Sequence, residues 1–449
     1  MSIYGAINSA TSGLEAQSIA LENISGNIAN SQSIGFKGLN TTFSDLVAST
    51  GATQADQVSG TTYATSRATN EVQGDIQSAD VETYMAIDGE GYFVVTAADG
   101  QLDGTTVFSE EEYYTRAGDF DLTEDGYLLN QAGYYLMGYA IDPATGNAVG
   151  NEPNVIQITD DLMQASASTI IEYQGNLPSY PQTSNADTTV AGSQYLDTTS
   201  SVTLTAVSDV SADDTDYFLD SSIGGESITL YDANGTPANV QIRWAQTADD
   251  QWNAYYQTDS AATGAATAWT NVGSVTFDAA GEVLTPATGT LTITGLSVNG
   301  TTVGDVDINF SNGALSQYDD VTGLAKIQNI DQNGFPSGEV TAIAIGEDGR
   351  ITATYSNEQT EDLYEIPLAT FAADYALQRV DGAAFAVTPA SGAPQYESGS
   401  VVAGALEASN VDIADEFSKL IITQQAYSAN SKIITAADEM LDDAINMVR

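Results

Sequence analysis

Cysteine and histidine are both absent from this chain of 449 residues. That removes disulfides, thiol nucleophiles, the usual zinc ligands and the commonest acid–base side chain. Among enzymes, only carboxylate-based or unusual mechanisms survive. Bases are scarce too: ten lysines and arginines stand against 61 acids, for a formal net charge of −51. Such a surface repels nucleic acid and anionic lipid and lacks a basic patch for phosphate, which excludes nucleic-acid binding. No run approaches the roughly 18 consecutive apolar residues of a membrane span, so no membrane insertion is expected. The N-terminus does not read as a secretory signal peptide. No base precedes Lys37, and the longest apolar run there is Ile19–Leu21. The expectation is a cytoplasmic protein, or one that leaves by a route that reads no such peptide.

What is present is patterned. At the start, Ile7, Leu14, Leu21 and Ile28 recur every seven residues, with Ile3, Ala10, Gln17 and Ile24 as companions. At the finish, Ile413, Leu420, Tyr427, Ile434, Leu441 and Val448 repeat at the same interval, beside Phe417, Gln424, Ser431, Asp438 and Ile445. Steps of four and three put these positions on one helix face, as in coiled coils. Gly5, Gly13 and Gly26 weaken the first helix, each by about 1 kcal/mol against alanine. The second seam is half polar at Gln424, Ser431 and Asp438, which are expected on the wet side. Helices this weak suit an assembly in which neighbours order them. The plainer reading is a terminal helix pair packed on the body of a monomer; the position of both seams at the extreme ends argues against it.

Between the ends, hydrophobic residues at 42%, 40 glycines and 23 tyrosines favour β structure with many turns. The length suggests two or three domains. Asp-Gly and Asn-Gly pairs between apolar runs mark hairpins at Asp88-Gly89, Asp125-Gly126, Asn234-Gly235, Asn299-Gly300, Asn312-Gly313 and Asp348-Gly349. Residues 31–75 and the stretch from Pro389 to Gly404 read as loose, small-residue connectors. The expected fold class is therefore α+β and multi-domain: a terminal α-helical, coiled-coil-like domain plus mainly antiparallel β domains.

Acidic clusters are the chemistry on offer. Asp213-Asp214-Thr215-Asp216 and Asp319-Asp320 hold calcium-type oxygens, but solvated turns explain them more cheaply. Asp121 to Gly126 begins like an EF-hand loop, yet Ala132 stands where the bidentate glutamate belongs. Carboxylate pairs of glycosidase type arise by accident among 61 acids. Arg116 and Arg243 read as structural ion-pair partners, and Trp244, Trp252 and Trp269 as packing residues rather than a sugar platform. No catalytic residue, metal or cofactor is expected.

Several segments carry a resemblance. Ile24 to Lys37 (ISGNIANSQSIGFK), with Asn27, Asn30, Gly35, Phe36 and Lys37, resembles the N-terminal signature of the bacterial flagellar rod and hook family. Leu406 to Asp412 (LEASNVD), with Asn410 and Asp412, and Gln424 to Ile434 resemble its C-terminal motifs. Thr115 to Phe120 with Gly126-Tyr127-Leu128 looks like its inner β domain. Gly334 to Gly338 and Tyr355 to Gln359 look like the returning half. The wording at Ser31–Lys37 and Thr41–Leu46, and a β insertion of about 180 residues at 146–325, look hook-type rather than rod-type.

The resemblance implies a subunit that self-polymerises into the flexible tube joining motor rod to filament. It implies residues 1–30 with 406–449 as the helical polymerisation domain and 31–75 with 372–405 as an extended connector. Residues 76–145 with 326–371 would be the inner β domain and 146–325 the outer one. It further implies export without a cleaved signal to the extracellular flagellum. Implied partners are further copies of the chain, the distal rod, the hook cap, the hook–filament junction and hook-length control proteins, and the flagellar export apparatus. Two alternatives stay open: another axial component, such as a distal rod or junction protein, and a secreted carbohydrate-binding or carboxylate-dependent β protein.

Overall fold

The computed structural model describes residues 3–46, 61–102, 105–159, 162–196, 204–205, 208–311 and 313–447. Val448 and the side chain of Ile445 lie outside the described residues, as does Asn312. Helix α1 (Ile3–Ala29) and helix α3 (Ile413–Met447) flank a β-rich body that includes a short helix, α2 (Thr215–Asp220). Among the described residues, no helix is long and apolar enough to cross a membrane.

The two terminal helices pack on each other. Asn27 Nδ2 donates to Glu416 Oε2 at 3.2 Å, and a Cβ at Gly13 would lie 2.7 Å from Asn430 Nδ2. From one contact to the other each helix advances fourteen residues, in opposite directions. The pair is therefore antiparallel and keeps a seven-residue repeat. Its seam runs through Gly13, Ala20 and Asn27 against Glu416, Thr423 and Asn430, one residue away from the column the sequence singled out. The reason is size: small residues let two backbones approach, and the bulkier Ile7, Leu14, Leu21 and Ile28 sit half-buried at its flank.

Residues 31–75 differ from expectation. Strands β1 (Leu39–Leu46) and β2 (Thr61–Ala68) form an antiparallel hairpin packed on α1. Asn23 Nδ2 ties helix to hairpin through Thr41 Oγ1 and Ser66 Oγ, both at 2.8 Å. Residues 372–405 are likewise not a loose connector. They carry short strands, of which Gln395–Glu397 pairs with Leu368–Thr370 and Ser400–Ala403 pairs with Met85–Asp88. This last pairing also means that Asp88-Gly89 closes no hairpin, because the returning chain supplies Met85–Asp88 with its partner. Asp125-Gly126 and Asp348-Gly349 do close turns between neighbouring strands.

The chain divides into two compact units, one of Met1–Asp160, Val340–Thr354 and Thr360–Arg449, the other of Asp161–Glu339 and Tyr355–Gln359. In the first, a 13-stranded sheet joins strands from both halves of the chain. Its core draws Phe93, Phe120, Leu136 and Ile156 from the outgoing chain and Ile351, Ile366, Leu368 and Val401 from the returning one. The second unit holds a five-stranded and a six-stranded sheet around Trp244, Trp252, Phe310 and Leu315. Pairing is mainly antiparallel. Among the described residues Ile170–Pro178 is the exception, running parallel to Thr301–Asn309 and Leu315–Tyr318.

Candidate functional site

The sequence motifs of both ends converge where the chain leaves α1 and returns to α3. Asn30 closes α1 by donating from Nδ2 to the Gly26 carbonyl at 2.9 Å. The chain then turns through Gly35, whose φ of +65° is left-handed. A Cβ there would meet Ala117 N at 2.4 Å, so only glycine fits. The Gly35 N–H donates to the Glu407 carbonyl at 2.8 Å, which already links the two ends.

Lys37 and Arg116 both bond the fully buried carboxylate of Glu407, Lys37 at Oε1 and Arg116 Nη1 at Oε2 (3.2 Å). The Gly74 N–H adds a third donor at 2.8 Å. Two cations on one anion leave an excess positive charge in low dielectric, a costly arrangement unless dipoles absorb it. Carbonyls do so: Lys37 Nζ donates to Val72 O at 2.7 Å and Arg116 Nη2 to Gly89 O at 2.8 Å. The Arg116 guanidinium also lies 5.4 Å from the centre of the Tyr92 ring. Burial pushes the Lys37 ammonium below its usual value; Glu407 opposes the shift, and Arg116 adds to it.

Two asparagines hold the root of the hairpin from opposite ends of the sequence. Asn27 behaves like a strand partner for Leu39, donating to its carbonyl (2.9 Å) and accepting from its N–H (2.8 Å). Asn410 accepts from Gly38 N at 2.8 Å and donates to Thr69 O and Val72 O. Asp412 caps α3, its Oδ1 accepting from Ala414 N (2.7 Å) and Asp415 N (3.2 Å). Phe36 lies under Arg379, 4.6 Å from the guanidinium, while Arg379 Nη2 donates to Lys37 O at 2.6 Å.

All seven motif residues (Asn27, Asn30, Gly35, Phe36, Lys37, Asn410 and Asp412) thus sit at this junction. Glu407, at its centre, was not singled out. Among 61 acids nothing marks it, but with ten bases the question of which acid answers Lys37 was open to asking. Arg116 is the ion-pair partner expected; Arg243 instead donates to Ser222 Oγ and the carbonyls of Leu219 and Ser222. The three tryptophans are buried.

The helix positions split into covered and uncovered sets. Ile24 is buried, and Leu420, Ile434 and Leu441 are half-buried. Ile413, Phe417 and Tyr427 are exposed, as are Gln424, Ser431 and Asp438. A row that the heptads did not predict is exposed too: Ile422 (67%), Ile433 and Met440. Steps of eleven and seven residues, three turns and two, keep these on one face of α3. Ile413, Phe417 and Ile421 form a second uncovered row at its start.

Known proteins resemble this chain along its whole length. Family models match at residues 86–177 (flagellar hook protein FlgE/F/G D1 domain), 195–335 (flagellar basal body protein FlaE D2 domain) and 402–447 (flagellar basal body rod FlgEFG protein C-terminal). The flagellar hook protein FlgE of Brucella suis is 31% identical over 456 residues, covering all of both chains. That of Salmonella typhimurium is 31% identical over 450 residues, 98% of each chain. That of Escherichia coli K12 is 29% identical over 452 residues, 98% of this chain and all of its own.

Proposed function

The chain belongs to the family of flagellar hook proteins, and from that membership we propose how its parts divide the work of a subunit that polymerises into the hook. It is a structural protein of the flagellum, not an enzyme. The uncovered apolar rows of α3 carry the reading. Ile413, Phe417 and Ile421 on one flank, and Ile422, Ile433 and Met440 on the other, stand uncovered on a helix whose seam side is spent on α1. Exposed apolar rows of this extent mark protein contacts. The helix pair serves as the polymerisation element, its open rows covered by the same pair of neighbouring subunits.

The junction around Glu407 gives that element its mechanical root. A pull on either helix is carried through Lys37 and Gly35 into Glu407, and through Arg116 into the sheet, rather than through a free hinge. The second unit supplies polar, acidic contacts between subunits that exchange as the joint bends. The proposed partners beyond further copies are the distal rod, the cap, the hook–filament junction proteins and the length-control protein. The proposed route outward is the flagellar export apparatus, without a cleaved signal.

Deletion of residues 413–449 tests this reading. A folded monomer that never polymerises is expected; normal tube formation would overturn it.

A further inference from the structure

We infer that Asn299 is a built site of spontaneous deamidation, with Gly300 as the nucleophile and Ser260 as the activating group. The described Asn-Gly pairs are three, and their surroundings differ. At Asn234 the Gly235 N–H is engaged, donating to Asp232 O at 3.0 Å, and a Cβ there would meet Ala165 at 2.9 Å. At Asn333 the Gly334 N–H donates to Gln332 Oε1 at 2.7 Å. Asn333 itself is held by the N–H groups of Thr169 and Ile170 and by Thr169 Oγ1. Both amides that would have to attack are tied down.

Asn299 and Gly300 form the exposed two-residue turn between Thr290–Val298 and Thr301–Asn309, with φ of +50° and +88°. Among the described residues the Gly300 N–H has no partner, and space around its Cα is open. The electrophile is polarised. Asn299 Oδ1 accepts two hydrogen bonds from Ser260, from N at 2.9 Å and from Oγ at 3.1 Å. Two donors on one carbonyl oxygen are the arrangement that stabilises the oxyanion of acyl transfer; Asn333 Oδ1 shares it, so the free Gly300 N–H is what sets Asn299 apart.

The step balances without any co-reactant but water. The Gly300 nitrogen attacks Asn299 Cγ, the Cγ–Nδ2 bond breaks, and ammonia leaves carrying the proton lost by the Gly300 N–H. Water then opens the cyclic imide at either carbonyl, giving aspartate or isoaspartate and one further negative charge close to Asp259. The isoaspartate product adds a methylene to the main chain and cannot keep a two-residue hairpin in register.

Peptide mapping by mass spectrometry of the full-length protein, aged in mildly alkaline buffer, tests this. The Asn299 peptide should gain the mass of an amide-to-acid conversion several-fold faster than the Asn234 and Asn333 peptides. Ser260→Ala removes one of the two donors and should slow it several-fold, by up to about ten-fold. In denaturant the three peptides should converge, since all share glycine as the next residue. Equal native rates, no effect of Ser260→Ala, or a preference that persists in denaturant would each overturn the inference.

Discussion

Lys37 and Glu407 lie 370 residues apart in the chain and form a buried ion pair. Everything in the first unit beyond α1 and α3 is threaded between them, so this contact fixes where the outgoing chain meets the returning one.

Breaking the pair strands charge. Glu407→Ala leaves Lys37 and Arg116 buried without an anion, and the first unit should lose about 3–5 kcal/mol. Denaturant unfolding followed by a probe in that unit checks this; a loss below 1 kcal/mol, within the range for exposed pairs, would refute it.

The glycines of α1 separate by what surrounds them. Gly5 and Gly26 have open space where a Cβ would go, so Gly5→Ala and Gly26→Ala should each stabilise the monomer by about 1 kcal/mol. Gly13 faces Asn430, and Gly13→Leu should force the helices apart and lower the helical signal. Circular dichroism on heating distinguishes the three.

Asp119 predicts a pH dependence. Burial lifts its carboxyl above the ordinary 3.8, opposed by N–H donors of Asp119 and Gln131. The folded chain therefore binds this proton more tightly than the unfolded chain does. Its contribution favours folding below pH 3.8 and is lost as pH rises through the raised value. The stability of Asp119→Asn relative to the unchanged chain should improve across that rise and then level off; a difference that is flat with pH would contradict the sign.

A net charge of −51 opposes packing of identical copies. Polymer should form at lower protein concentration as salt rises toward levels where the screening length is a few ångströms. Sedimentation across a salt series reads this, and identical yields at low and high salt would remove repulsion as a controlling term.

How much was legible divides along physical lines. Seven-residue periodicity is local, so both helices were readable, as were the turns at Asp125-Gly126 and Asp348-Gly349. The helix seam lies one residue from the heptad column of Leu14 and Leu21 because apolar size and closest approach mark different faces. The column of closest approach is the small one, through Gly13 and Ala20. The connector segments do not show as strands in the sequence because polar Thr/Ser/Gly stretches acquire them only from distant partners: Ser400–Ala403 from Met85–Asp88, and the root of the β1–β2 pair from Asn27 and Asn410. Glu407 was hidden for the same reason. Its identity as the junction acid is set by Lys37 and Arg116, which no sequence spacing brings near it.

The outward rows of α3 are the proposed contacts between subunits. A structure of the assembled tube with resolved side chains tests this assignment most directly. Ile422, Ile433 and Met440 are expected to be buried against the helix pair of a neighbouring subunit. Finding all three facing water in the assembled state would contradict it.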